Sequence, residues 1–186
     1  MKRAAIIHGW KASPDMNWFR WLGDQLSGLG YAVEIPHMPN PNDPAPVEWI
    51  EALSMCIGTP DRQTLLVGHS LGAHAILRYL ESMSAGHVGT AVLVAPWPNL
   101  NRVKDSSYSK VARRWMGREP DWKAIRANVD RVVAVFSATD PFVLPGNSHE
   151  FSESLGAKVV MLADNGHIVD ETVEVVFDEI RLADMD

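Results

Sequence analysis

A serine hydroxyl becomes a useful nucleophile only when a base is held against it and a carboxylate orients that base. The stretch LLVGHSLGAHAIL, residues 65–77, offers such a serine. It is apolar at both ends, and Ser70 stands at its centre with Gly68 and Gly72 two positions away on either side. The first apolar half reads as a buried strand and the second as a helix. A turn tight enough to lift Ser70 above a sheet strains its backbone and crowds the flanking positions against strand and helix. Glycine at 68 and 72 relieves that crowding, which is the logic of a G-x-S-x-G nucleophile elbow. The helix that follows aims its N-terminus at the hydroxyl, so the Leu71 N–H is predicted to stabilise a developing negative charge.

In this strand–turn–helix setting the partners follow the serine in the order acid, then histidine. Of seven histidines, His8, His37 and His69 precede Ser70, and His74 and His87 belong to the following helix or its end. His149, in GNSHEFSESLG, reads as a solvated helix start. His167, in ADNGHIVD, lies just past the last apolar run, where a loop at a strand's C-terminal edge would hold it, and is the candidate base. Asp140, in VFSATDPFVLP, follows the fifth run at the same kind of edge and is the candidate acid. Asp130 comes before that run, on the wrong side of a sheet. Asp164 is the rival, but in ADNG it reads better as a turn residue.

A second oxyanion donor must come from the loop after the first strand, IIHGWKASP. Gly9 lets that chain turn close to Ser70, and the next N–H is that of Trp10; between Trp10 and Lys11 the sequence favours Trp10 without deciding. His8 at such a position is a structural hydrogen-bonder. Gly28-Leu29-Gly30 precedes a strand instead of following one and lacks the third glycine of a dinucleotide loop. There is no H-E-x-x-H and no cysteine cluster, and His69 and His74 are too far out of phase to share a helix face, so no metal site and no cofactor are predicted.

The elements that must position these groups alternate along the chain. Apolar, β-branched runs begin at Arg3, Tyr31, Thr64, Thr90, Arg131 and Ala157. Their near-continuous hydrophobicity predicts strands covered on both faces, as in a parallel sheet. Between them lie helical patterns. SPDMNWFRWLGDQLSGLG predicts a helix capped by Ser13, with Pro14 in its first position, a stripe of Trp18, Leu22, Leu26 and Leu29, and a stop at Gly30. The last pattern carries Val173, Val176, Phe177 and Ile180. Six strands alternating with helices predict a doubly wound α/β sheet with right-handed crossovers, in one domain spanning residues 1–186. Five prolines between Pro36 and Pro46 make a stiff loop, and the longest insertion, from Trp97 to Asn128, has short helical pieces near Trp115 and Trp122.

Composition narrows the partners. Seventeen basic and 23 acidic side chains leave a net charge of −6, which argues against binding nucleic acid through its phosphates. The lone Cys56 fits a reduced compartment. The apolar stretch after Lys2 and Arg3 is too short for a secretory signal, and no stretch approaches a membrane span, so a cytoplasmic protein with no membrane contact is expected.

Taken together, HGWKASPDMNWFRWL, MPNPNDPAPVEWI, GHSLGAHAILRYL, SATDPFVLPGNSHEFSESLGAKVV and NGHI resemble the small serine hydrolases of the YdeN and retinoblastoma-binding-protein-nine type over nearly the whole chain. That resemblance implies a compact three-layer α/β-hydrolase without a large lid and a triad of Ser70, Asp140 and His167. It does not carry pocket-protein binding across. Around Cys56 the chain reads LSMCIG, with Leu53 one place too far away and no glutamate for a Leu-x-Cys-x-Glu motif. Among seven tryptophans, Trp10 and Trp97 follow strand ends on the active edge and, with Phe142, are candidates for an apolar acyl pocket. The expected activity is hydrolysis of esters or amides of small apolar acids through an acyl-enzyme. The alternative is a non-catalytic binding protein that uses the pocket or the proline loop.

Overall fold

A computed structural model describes residues 1–98 and 106–185. In chain order the elements are β1 (Arg3–Ile7), α1 (Phe19–Gly28), β2 (Ala32–Glu34), α2 (Pro46–Ile57), β3 (Thr64–His69), α3 (Leu71–Ser82), β4 (Val88–Val94), α4 (Ser106–Trp115), α5 (Trp122–Ala127), β5 (Val129–Ser137), α6 (Asn147–Leu155), β6 (Lys158–Leu162) and α7 (Glu174–Met185). All six strands are parallel, in the order β2-β1-β3-β4-β5-β6. The expected doubly wound sheet is present. Helices α1 and α7 pack together on one face, and α2, α3, α5 and α6 form a row on the other, as right-handed crossovers require.

Hydrophobic continuity matches position in the sheet. Every residue of β3 is buried, and β1, β4 and β5 are buried along their C-terminal halves. The two edge strands, β2 and β6, are not covered on both faces as their composition suggested: neither has a fully buried residue. The chain leaves β1 in one direction toward β2 and returns as β3 on its other side. That reversal opens a crevice outside the C-terminal ends of β1 and β3, where ligands of such sheets bind. Register brings the ends level, with Ile7 opposite Gly68, Gly68 opposite Leu93 and His69 opposite Val94.

Helix α1 starts later than its capping signature predicts. Ser13 closes a turn through its carbonyl, which accepts the Met16 N–H at 3.2 Å, and Asn17 adopts a left-handed φ of 53° that no helix continues through. Trp18 becomes the cap, and its indole N–H donates to the Ile168 carbonyl at 3.0 Å. This distant contact overrides the local signal. Trp18, Leu22 and Leu26 form the buried stripe as expected, while Leu29 lies past the last turn and is exposed. Helix α2 places Trp49, Leu53 and Ile57 on a buried face and begins with Pro46, whose missing N–H costs nothing there.

Candidate active site

Ser70 sits between the last residue of β3 and the first of α3 at φ 53°, ψ −114°. A non-glycine residue at positive φ stores roughly 1–3 kcal/mol of strain and persists only where its surroundings hold it. Its N–H donates to the Val94 carbonyl at 2.8 Å, which extends the β3–β4 ladder by one residue. The two glycines are required by space. A Cβ on Gly68 would lie 2.6 Å from the Ala73 nitrogen, and one on Gly72 would lie 2.2 Å from the Ile7 oxygen and 2.7 Å from that of His8.

The three residues chosen for nucleophile, base and acid come together. Ser70 Oγ lies 3.0 Å from His167 Nε2, and His167 Nδ1 lies 2.8 Å from Asp140 Oδ2. The other carboxylate oxygen, Oδ1, accepts the backbone N–H groups of Phe142 at 2.8 Å and Val143 at 3.0 Å. Burial works to raise the Asp140 carboxyl. The hydrogen bond from His167, that ring's charge and the N–H groups of Val143 and Phe142 outweigh it and leave the carboxyl below its ordinary range. With Asp140 ionised, Nδ1 of His167 carries a proton and Nε2 presents a lone pair to the serine hydroxyl. A chain of this geometry can move a proton from Oγ to the ring as the oxygen attacks an electrophile.

The rivals lie elsewhere. Asp164 accepts the Thr139 hydroxyl at 2.9 Å, and His149 is exposed on α6. His8 is buried, donates from Nδ1 to the Gly9 carbonyl at 2.8 Å and accepts the Met38 N–H on Nε2 at 3.1 Å. Burial lowers its pKa, only partly opposed by the Gly9 carbonyl, so it remains a neutral strut.

Two backbone donors were expected for an oxyanion. Leu71 opens α3, and first-turn N–H groups have no acceptor within their own helix. In the loop after β1, a Cβ on Gly9 would stand 3.4 Å from Ser70 Cβ, so that glycine does admit a close approach. Lys11 N–H is committed to the Pro41 carbonyl at 2.8 Å; Trp10, the residue the sequence favoured, stands between it and Gly9. The pocket candidates divide. Phe142 is exposed and meets the His167 ring edge-on at a centroid distance of 5.1 Å, on the rim of the site. Trp10 is half-buried, its indole N–H on the Asn42 carbonyl at 3.1 Å. Trp97 departs from expectation: it is 3% exposed and stacks on His74 at 4.5 Å, so its ring face is used in packing. Residues 99–105, in the first part of the longest insertion, lie outside the described residues.

Sequence reasoning missed the groups that hold the histidine loop. Asn165 N–H donates to Ser137 Oγ at 3.1 Å and Gly166 N–H to Thr139 Oγ1 at 3.2 Å. The His167 carbonyl faces His69 Nε2 at 2.8 Å. Hydroxyls two residues apart at the end of β5, just before Asp140, were the available signal. Among the described residues no group of His, Cys, Asp or Glu could hold a metal ion, and no helix is long and apolar enough to cross a membrane.

Comparison with known proteins agrees with this geometry. A family model described as serine hydrolase matches residues 4–175. The chain is 29% identical to the YdeN protein of Bacillus subtilis (strain 168) over 175 residues, 91% of this chain and 87% of that one. It is 26% identical to serine hydrolase RBBP9 of Rattus norvegicus over 152 residues, 81% of this chain and 77% of that one. The crystal structure of the B. subtilis ydeN gene product superposes with a TM-score of 0.90 at 27% identity, with both chains covered completely. Est1E from Butyrivibrio proteoclasticus shares the α/β-hydrolase fold at a TM-score of 0.75 and 14% identity, covering 100% of this chain and 89% of that one.

Proposed function

The chain belongs to the serine hydrolase family, and from that premise we propose that it hydrolyses esters or amides of small apolar acids through an acyl-enzyme on Ser70. His167 Nε2 accepts the Ser70 proton as Oγ attacks the carbonyl carbon. Asp140 holds the Nδ1–H tautomer and stabilises the imidazolium that forms. The N–H groups of Leu71 and Trp10 receive the oxyanion, in a crevice where fixed donors need no reorganisation. The imidazolium then protonates the leaving group. Water, deprotonated by the same ring, releases the acid and restores Ser70.

The observation that carries this reading is the continuous relay from Ser70 Oγ through His167 to Asp140, with contacts of 3.0 and 2.8 Å. A fluorophosphonate probe tests it without knowledge of the substrate, because labelling requires an activated serine. One label per chain is expected, lost in Ser70→Ala. Undiminished labelling of a folded Ser70→Ala protein would overturn the assignment, and an unlabelled wild type would favour a binding protein.

A further inference from the structure

His69 takes no part in that chemistry, yet it is the residue immediately before the nucleophile and its ring is fully enclosed. Trp18 and Phe19 pack against it, with centroids 5.9 and 6.0 Å away, and the His167 ring lies at 4.9 Å. Its Nε2 stands 2.8 Å from the His167 carbonyl oxygen. A carbonyl only accepts, so Nε2 must carry the proton. Among the described residues Nδ1 is then a bare lone pair, buried with no hydrogen-bond partner. A buried acceptor left unpaired is a standing cost that most proteins avoid. Here it accompanies a tautomer fixed by the bond that Nε2 makes to the His167 carbonyl.

That bond falls where the chain is under strain. Ile168 is β-branched and sits at φ 56°, a conformation such residues rarely adopt. The carbonyls on either side of its φ and ψ axes are both held by buried aromatic N–H donors: His69 Nε2 on His167, and Trp18 Nε1, at 3.0 Å, on Ile168. We propose that His69 is a positioning residue for the base, its Nε2–H holding the His167 backbone so that the imidazole meets Ser70 Oγ. This rests on the reading of Ser70, His167 and Asp140 as the reacting relay. The hook and the nucleophile are then consecutive residues at one strand end, so base and nucleophile share a single mechanical reference. Burial and the neighbouring His167 charge lower the His69 pKa to about 3, against smaller opposing effects of the His167 carbonyl and Asp140. His69 therefore stays neutral when the ring beside it accepts a proton.

Three substitutions separate this role from simple packing. The amide nitrogen of His69→Gln reaches the place of Nε2, that of His69→Asn reaches only the place of Nδ1, and His69→Phe keeps a ring with no donor. We expect Phe and Asn to lower kcat and the fluorophosphonate labelling rate by roughly 10–100-fold with KM little changed, as a small misplacement of a reacting group does. Gln should recover most of the loss. Measurements are made well below each variant's Tm; if His69→Phe does not fold, the comparison of Gln with Asn decides. Wild-type rates in Asn and Phe, or Gln as slow as Asn, overturn the proposal. Failure of the underlying relay looks different, since wild-type protein would then not be labelled at all, and both readings fall.

Discussion

Replacing Asp140 with asparagine keeps the shape of the side chain and exchanges one acceptor for a donor. The carboxylate is 1% exposed and makes three bonds: Oδ1 accepts two backbone N–H groups, from Phe142 and Val143, and Oδ2 accepts His167 Nδ1–H. Asparagine has one oxygen for these two sides. If the oxygen faces His167, the NH₂ group confronts the Phe142 and Val143 N–H donors and both lose their acceptor. At about 0.5–1.5 kcal/mol for each hydrogen bond lost, that orientation is worse by about 1–3 kcal/mol. The amide therefore turns its NH₂ toward His167, Nδ1 becomes the acceptor, and the ring proton moves to Nε2. There it points at Ser70 Oγ and cannot take the serine's proton. The same exchange in a serine-protease triad lowers kcat by about 10⁴ through the wrong tautomer, and a loss of that order is expected here. Packing is unchanged, so Tm should move by only a few degrees. Hydrolysis of p-nitrophenyl acetate and the fluorophosphonate labelling rate measure the effect, with Asp164→Asn as the control expected to cost far less. An Asp140→Asn enzyme within tenfold of wild type would refute the argument, and a larger loss in Asp164→Asn would make Asp164 the partner.

Gly72→Ala forces a Cβ to 2.2 Å from the Ile7 oxygen, so α3 and the end of β1 must part by about 1 Å, costing on the order of 10² in kcat and about 1–3 kcal/mol of stability. Gly28→Ala meets nothing within 4 Å at the end of α1 and should stabilise by about 0.5–1 kcal/mol in the same melts. Burial holds His69 at about 3 and His74 at about 4. The unfolded chain protonates first, so their stability is present above pH ~6.5 and falls by about 1.4 kcal/mol per unit per histidine down to pH ~4. Urea unfolding at pH 7 and 5 should show that slope, and His74→Gln should flatten it by one proton. A p-nitrophenyl ester series should gain up to about 0.8 kcal/mol per methylene over roughly two to six carbons and decline before about eight. Rates that climb steadily to twelve carbons would contradict a small pocket.

What could be read from the residues alone was what sterics and chain order dictate. Glycines at 68 and 72 flank the turn at positions that no larger residue could occupy, and the clearances in the structure give the same answer. Asp140 and His167 follow apolar runs, and parallel strands deliver such positions to one edge of the sheet. The start of α1 departs from its capping signature because Ser13-Pro14 is a local signal, while Trp18 is fixed by a carbonyl 150 residues away. Trp97 was placed correctly beyond β4, but position does not give direction, and its ring turns to stack on His74.

His74 shows why the polar groups of a buried helix escape a sequence reading. In GHSLGAHAILRYLES the pattern is that of a helix, and Ser70, His74 and Arg78 recur every fourth residue along one face. That face is inside the protein. His74 Nδ1 lies 2.9 Å from the Trp97 carbonyl and Nε2 lies 3.2 Å from that of Trp115. A neutral ring has one N–H for two acceptors, and burial keeps the ring neutral. The second donor comes from one turn further on, where an Arg78 N–H reaches the same Trp115 carbonyl at 3.3 Å and others reach the carbonyls of Arg118 and Glu119. Glu81 balances that charge and accepts both Arg118 N–H groups and the Asp121 N–H. The chain from α4 to α5 is thus gripped by α3, the helix that Ser70 precedes. The indole N–H of Trp115, at the end of α4, in turn holds the Pro44 carbonyl of the proline loop at 3.1 Å. Ser70 and the segment from α4 to α5 are therefore both referenced to α3, and a shift of α3 that displaced Ser70 would have to break that segment's hydrogen bonds as well.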